Sequence, residues 1–265
     1  MAQVTLTMGS LLLVLTYPVL LYFFILSQKP ILVIISLLSA LFYIVALLIT
    51  ALIMFPIPAG SKGTMDPTEG ESDILYPTVA VIVGSVSQEF CRFAFIFVFR
   101  KVERGFKAVI TSASTPRSIL VDDQSACLAS GMGIATAHML TTAGFVFAAT
   151  IPRAGDYFGQ MCGDIPLQYL TAITALEFFI MDIALMIIAF RAEKHKSIVH
   201  FVMVFIFHTA AGFCTLSNIT LGSNVNCMTS VYSVLVVIAV IILYTVLIPV
   251  EFGKISGSKT AEDFR

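Results

Sequence analysis

Long apolar stretches separated by short polar segments dominate the sequence. Seven of them reach the roughly 20 residues that a helix needs to cross the hydrocarbon core of a bilayer. The pattern predicts spans at about 7–27, 31–55, 76–99, 126–151, 165–190, 197–216 and 228–250. Together they take up most of the chain. We therefore expect an all-α, polytopic membrane protein with seven transmembrane helices, forming a single membrane domain over 1–265.

The composition agrees with this interpretation. Hydrophobic residues make up 58% of the chain and charged residues only 12%, whereas soluble domains carry roughly 25% charged residues. A net charge of -1 argues against binding of nucleic acid, which needs a concentrated basic surface. The five Cys form no CxxC pair and no Cys/His spacing suited to zinc, so we predict no metal and no cofactor.

The basic residues predict the orientation. With a lumenal amino terminus, twelve of the fifteen Lys and Arg residues fall on the cytosolic side, and only Lys62 and Arg153 lie in lumenal loops. The positive-inside rule therefore places the amino terminus in the lumen and the carboxyl terminus in the cytosol. On the lumenal side, Asn218 begins a glycosylation tripeptide, which a chance match would also explain. Cys162 and Cys227 either form a disulfide there or are two free packing thiols.

Several polar residues lie inside the predicted spans, where an ionisable group is costly unless it is paired or faces a cavity. Such a set predicts a polar cavity or a docking site for another chain. The alternative is hydrogen bonding between helices of the same bundle. The ionisable members of the set are Glu89, Arg92, His138, Glu177, Asp182 and His208. Gln88, which is polar but uncharged, lies next to Glu89 and belongs to the same polar cluster.

Two pairings follow from their positions. Asp182 and His208 each lie about ten residues from the tight loop between the fifth and sixth spans, so we expect them at the same depth and within hydrogen-bonding reach. Arg92 follows Glu89 by three residues, which places both on one helical face as an ion pair. Glu177 has no partner that the sequence identifies.

The fourth span carries small residues at four-residue spacing. Such faces let two helix backbones approach closely. We therefore expect this span to pack on another helix, either of the same bundle or of a second protein. One ridge consists of Cys127, Gly131 and Ala135, and the neighbouring ridge of Ala129, Gly133 and Ala137.

The sequence predicts no catalytic residue. Ser130 and His138 share one helix and lie ~12 Å apart along its axis, which is too far for the hydrogen bond that activates a serine. A heptahelical receptor is disfavoured because the chain has no Trp and no Asn-Pro-x-x-Tyr motif near Tyr244. The functional alternative left open is a proton-coupled small-solute transporter that uses Glu89, Asp182 and His208 as a relay.

One motif in the third span is more specific. Gln88-Glu89-x-x-Arg92-Phe93-Ala94 is followed by Gly105-Phe106-Lys107, and the first two spans carry Leu21-Tyr22-Phe23-Phe24, Pro30 and the run from Phe42 to Thr50. In order and spacing these residues resemble the anterior-pharynx-defective family, the seven-span scaffold subunit of gamma-secretase. The resemblance is strongest over about 21–54 and 88–107.

The resemblance implies a non-catalytic subunit that joins nicastrin first and then holds the carboxyl-terminal region of presenilin. The presenilin-enhancer subunit would complete the complex. The contribution to proteolysis of Notch-like and amyloid-precursor-like substrates would be indirect. The implied location is the lipid bilayer of the endoplasmic reticulum and Golgi, reaching the plasma membrane and endosomes.

The resemblance also assigns expectations to residues. The family carries assembly glycines at four-residue spacing in its fourth span: here Gly131 matches, Ala135 is a small substitute and Met139 departs. The family also has a His in each of the fifth and sixth spans. His208 fits the second of these, whereas the first position falls on Asp182, or on Met181 if the register differs by one residue, so we expect a divergent member.

Overall fold

A computed structural model describes residues 2–57, 75–112, 122–150, 167–220 and 228–259. Seven α-helices occupy them, and a π-helical turn at Tyr22–Leu26 directly follows α1. The helices are α1 (Ala2–Leu21), α2 (Pro30–Met54), α3 (Leu75–Ser112), α4 (Asp123–Thr150), α5 (Leu167–His195), α6 (Ile198–Thr220) and α7 (Met228–Lys259).

The all-α membrane class is confirmed. Within the described ranges, six helices are long and apolar enough to cross a bilayer by length and composition. The remaining helix, α4, carries Gly, Ser, Thr and His between its apolar residues. The chain is thus a multi-pass integral membrane protein, while its predicted orientation stays a prediction.

Local sequence explains where several helices begin and end. Pro30 occupies the first turn of α2, where its missing N–H costs nothing. Asp122 caps α4 by accepting a hydrogen bond from the Ser125 amide at 3.0 Å. At the end of α5, Lys196 has φ 51°, a left-handed conformation that usually belongs to Gly. The Ser197 amide closes this turn by donating to the Ala192 carbonyl at 3.0 Å.

The α4 helix lies between α2 and α5, and its two ridges of small residues face different neighbours. A Cβ on Gly131 would lie 3.1 Å from the Ile183 Cα of α5. A Cβ on Gly133 would overlap the Ser36 carbonyl oxygen and the Ser39 hydroxyl of α2. The Ser39 hydroxyl also donates to the Ser130 carbonyl at 2.9 Å, which ties α2 to α4.

A cluster of charged residues joins three helices at one end of the bundle. The Arg100 guanidinium of α3 donates to Asp123 of α4 at 2.6 Å and to Glu193 of α5 at 3.0 Å. It also donates to Glu103 on its own helix at 2.8 Å. The hydrogen bond from Arg100 holds the pKa of the Asp123 carboxyl below its ordinary value of 3.8, in opposition to partial burial.

Gly133→Ala tests the close approach of α2 and α4. The added methyl group has no room beside the Ser36 carbonyl, so we expect a loss of about 1–3 kcal/mol in the free energy of unfolding, the usual range for overpacking. Denaturant titration in detergent micelles would measure it. Gly144→Ala on the same helix is the matched control, since no atom lies within 4 Å of its Cβ position. Equal effects of the two substitutions would contradict the packing of α4 on α2.

Asp123→Asn tests the charged cluster through pH. Because the folded-state pKa of Asp123 is lowered, its stabilisation is present above pH 3.8 and is lost as the pH falls through the folded-state value. We expect the variant to be less stable than wild type at neutral pH by about 1 kcal/mol or less, and the difference to vanish in acid. Thermal unfolding of both proteins across this pH range would measure it. A difference that does not change with pH would contradict this assignment.

Candidate functional site

The Arg92 guanidinium is the centre of a buried polar network in the middle of the bundle. Its Nε donates to Glu89 Oε2 at 2.9 Å, on the same helix. Its Nη2 donates to Asp182 Oδ1 of α5 at 2.6 Å, and its Nη1 to the Asp182 carbonyl oxygen at 3.1 Å. All three side chains are almost fully buried, so these ion pairs lie away from water.

A histidine extends the network at each end. His138 Nδ1 of α4 lies 2.7 Å from Asp182 Oδ2. His208 Nδ1 of α6 bonds Glu89 Oε1. An ionised carboxylate only accepts hydrogen bonds, so in each case the histidine Nδ1 carries the proton and donates. The chain His208–Glu89–Arg92–Asp182–His138 therefore connects α6, α3, α5 and α4.

Aromatic contacts connect the network to a fifth helix, α2. The Tyr43 ring of α2 stacks on His138 with ring centroids 5.2 Å apart and an interplanar angle of 27°. The Tyr43 hydroxyl lies 3.3 Å from the Thr141 hydroxyl, one turn from His138 on α4. Phe178 covers His138 from the α5 side, with centroids 5.0 Å apart. These contacts fix the orientation of the imidazole that reaches Asp182.

The charges of the network nearly cancel. Two carboxylates face one guanidinium, so the network has a net charge of one negative unit when both imidazoles are neutral. Each charge of the network lies against a partner of opposite sign or against a histidine, as an ionisable group inside the hydrocarbon region requires.

The structure brings together most of the residues that the sequence singled out. Glu89 and Arg92 form the expected ion pair. The expected hydrogen bond between Asp182 and His208 is replaced by Asp182 with His138 and by Glu89 with His208. Gln88 lies outside the network: it is half-buried, and its side-chain oxygen has no hydrogen-bond partner among the described residues.

The role of His138 was missed by sequence reasoning. It stood among the intramembrane ionisable residues, but nothing indicated its depth relative to Asp182. The loop before the fourth span is long and gives no fixed reference for counting residues. The one available signal was the spacing of seven residues from Gly131, which places His138 on the same face of α4.

Glu177 stands apart from the network. The side chain is buried on α5, and neither carboxylate oxygen has a hydrogen-bond partner in the part of the chain that the structure describes. Cys162 and Cys227 lie outside the described residues, and so does the side chain of Asn218. Their predicted disulfide and glycosylation stay predictions.

The arrangement supplies neither a serine dyad nor a metal centre in the described ranges. The Ser130 hydroxyl donates to the Ala126 carbonyl at 2.8 Å within its own helix, while His138 is engaged by Asp182. The described residues contain no group of three or more His, Cys, Asp or Glu side chains placed to hold a metal ion.

Comparison with known proteins decides the family. The family model described as "Aph-1 protein" matches residues 5–248, nearly the whole chain. The chain belongs to the Aph-1 family. The resemblance inferred from the third-span motif is therefore confirmed, and the Aph-1 match includes every residue of the buried network.

A curated plant protein is similar to this Aph-1 family member. The "Gamma-secretase subunit APH1-like" protein of Arabidopsis thaliana is 28% identical over 198 residues. The alignment covers 73% of this chain and 74% of the plant protein. The similarity thus extends over most of both chains at a level expected for divergent relatives.

Asp182→Asn tests whether the network holds the bundle together. The substitution leaves the buried Arg92 charge with Glu89 alone, so we expect a loss of about 3–5 kcal/mol in the free energy of unfolding. Glu177→Gln on the same helix is the matched control, because its carboxyl is also buried but has no hydrogen bond to a described residue that could be lost. Denaturant titration in micelles would compare the two. If Glu177→Gln costs as much as Asp182→Asn, burial and not the network accounts for the loss.

Proposed function

We propose that this protein is the non-catalytic scaffold and assembly subunit of a gamma-secretase complex. The observation that carries the proposal is the Aph-1 match over residues 5–248, together with a plant relative whose name states a gamma-secretase subunit. In this role the protein stabilises presenilin and nicastrin, with the presenilin-enhancer subunit, for intramembrane proteolysis of Notch-like and amyloid-precursor-like substrates.

The geometry of the network supports a structural role. An intramembrane aspartyl protease needs two carboxylates that share a proton, so that one acts as acid and the other as base. Here the Arg92 guanidinium lies between Glu89 and Asp182 and donates to both. Each carboxylate therefore accepts from a guanidinium instead of sharing a proton with the other carboxylate. The same bonds join four helices and suit a rigid scaffold.

The packing also indicates where partners do not dock. The ridge containing Gly131 is covered by α5 and the ridge containing Gly133 by α2, so both serve this chain's own fold. Partner helices would therefore contact other faces. The exposed apolar residues of α1, α2 and α7, which include Leu12, Leu37 and Val236, face outward from the bundle and suit contact with lipid or with a partner's span.

A proton-coupled small-solute transporter is the second candidate. It is favoured by one observation, the hydrogen-bonded run of two imidazoles and two carboxylates from His208 to His138. Such a run resembles the relays of proton-coupled transporters, in which intramembrane Asp, Glu and His residues exchange protons. The hydrogen bonds from Arg92 to both carboxylates argue for the scaffold instead, because a relay carboxylate has to take up and release a proton.

Affinity purification in a mild detergent tests the proposed function. We expect tagged protein to recover presenilin and nicastrin homologues in near-equal amounts. Gly131→Leu should reduce this recovery several-fold, since a larger side chain pushes α4 away from Ile183, while protease protection still reports normal insertion. Gly144→Leu is the control, because its Cβ position is open.

The transporter predicts the opposite result. The chain would then be recovered without these partners, and the purified protein in proteoliposomes would show pH-dependent solute flux that Asp182→Asn abolishes. Recovery of the chain alone would overturn the scaffold proposal.

A further inference from the structure

A charged pocket of about 300 Å³ lies at one end of the bundle, outside the buried network. It is bounded by α3, the first turn of α4 and the turn between α5 and α6. Its basic lining residues are Arg100, Arg104, Lys194 and Lys196. The predicted orientation places this end on the cytosolic side, where most Lys and Arg residues lie.

The acidic residues of the pocket are already engaged. Arg100 binds one oxygen of each carboxylate that lines the pocket, those of Glu103, Asp123 and Glu193. The second oxygen of Asp123 accepts from Lys194 at 3.2 Å, and that of Glu193 accepts from Lys196 at 2.9 Å. Four cations against three carboxylates leave the lining with one net positive charge.

Unused hydrogen-bond donors remain on the open side of the pocket. The Nε of Arg104 donates to the Arg100 carbonyl at 3.3 Å. Its two terminal amino groups have no acceptor among the described residues. The side chains of Lys194 and Lys196 are 60% and 80% exposed, and each ammonium group has donors to spare. Lys196 is held beside the pocket by its left-handed backbone conformation.

Exposed apolar residues lie next to lining residues in the sequence. Val102 of α3 is exposed next to Glu103, and Ile198 and Val199 begin α6 directly after the turn that carries Lys196. Exposed aliphatic residues on membrane helices face lipid acyl chains. Lining residues that adjoin such aliphatic residues in the sequence favour a lipid headgroup as the occupant over a free phosphate in solution.

We propose that this pocket binds the phosphorylated headgroup of an anionic lipid, of the phosphoinositide monophosphate class. A phosphate monoester carries about 1.5–2 negative charges and three acceptor oxygens, which match the free donors of Arg104, Lys194 and Lys196. Basic pockets between transmembrane helices on the cytoplasmic side are suited to such headgroups. This inference does not rest on the proposed function, because it concerns the chain without its partners.

Lipid titration of the full-length purified chain tests the proposal. Native mass spectrometry in detergent micelles would measure binding of phosphatidylinositol 4-phosphate, phosphatidylserine and soluble inositol 1,4-bisphosphate. We expect the phosphoinositide to bind at least fivefold more tightly than either of the others. Arg104→Gln should weaken phosphoinositide binding about fivefold, the usual effect of one basic residue at a membrane surface.

Two further variants separate binding from folding. Lys196→Gly removes one cation but relieves the left-handed backbone, so affinity should fall while thermal stability is kept or rises. Lys101→Gln removes an exposed charge of α3 that does not line the pocket, and binding should be unchanged. The proposal is overturned if Lys101→Gln weakens binding as much as Arg104→Gln. It is also overturned if phosphatidylserine or the soluble inositol phosphate binds as tightly as the phosphoinositide.

Discussion

The rest of the bundle depends on the burial of one guanidinium. The Arg92 side chain is almost fully buried, and a buried cation is tolerated only if fixed acceptors surround it. Glu89 and Asp182 supply those acceptors, and each carboxylate is in turn held by a histidine from a further helix. The helices α3, α4, α5 and α6 are thereby fixed in depth and in rotation relative to one another. Sliding one of them along its axis would break a hydrogen bond and expose a charged group to hydrocarbon.

The small residues of α4 and this polar network form one structural unit. Gly131 and His138 are seven residues apart and lie on the same face, towards α5. The close approach at Gly131, beside Ile183, brings the α4 backbone near enough for His138 to reach Asp182, the residue before Ile183. On the opposite ridge, Gly133 admits α2, which carries Tyr43 to the other side of the same imidazole. A bulky residue on either ridge would therefore disturb the electrostatics as well as the packing.

The membrane class could be predicted from the length of the apolar stretches, and the family from the motif in the third span. The Glu89–Arg92 ion pair could be predicted from its three-residue spacing, because all three features are local in the sequence. Sequence reasoning also identified Asp182 and His208 as members of one buried group. It did not predict their partners. Depth follows from counting residues from a tight loop, but the direction in which a side chain points around an apolar helix depends on which neighbours cover it. The α5 helix is buried on several sides, so its sequence offers no polar face from which the direction of Asp182 could be inferred.

The three-residue spacing of Glu89 and Arg92 has a consequence for biogenesis. During synthesis α3 precedes α5 and α6, the helices that carry Asp182 and His208. A lone arginine at this depth would oppose insertion, but the carboxylate one turn earlier travels with it and neutralises its charge. The intramembrane part of α3 therefore enters the bilayer with its two charged side chains already paired. The Glu89–Arg92 ion pair is then already in the membrane when the helices that carry Asp182 and His208 pack against α3.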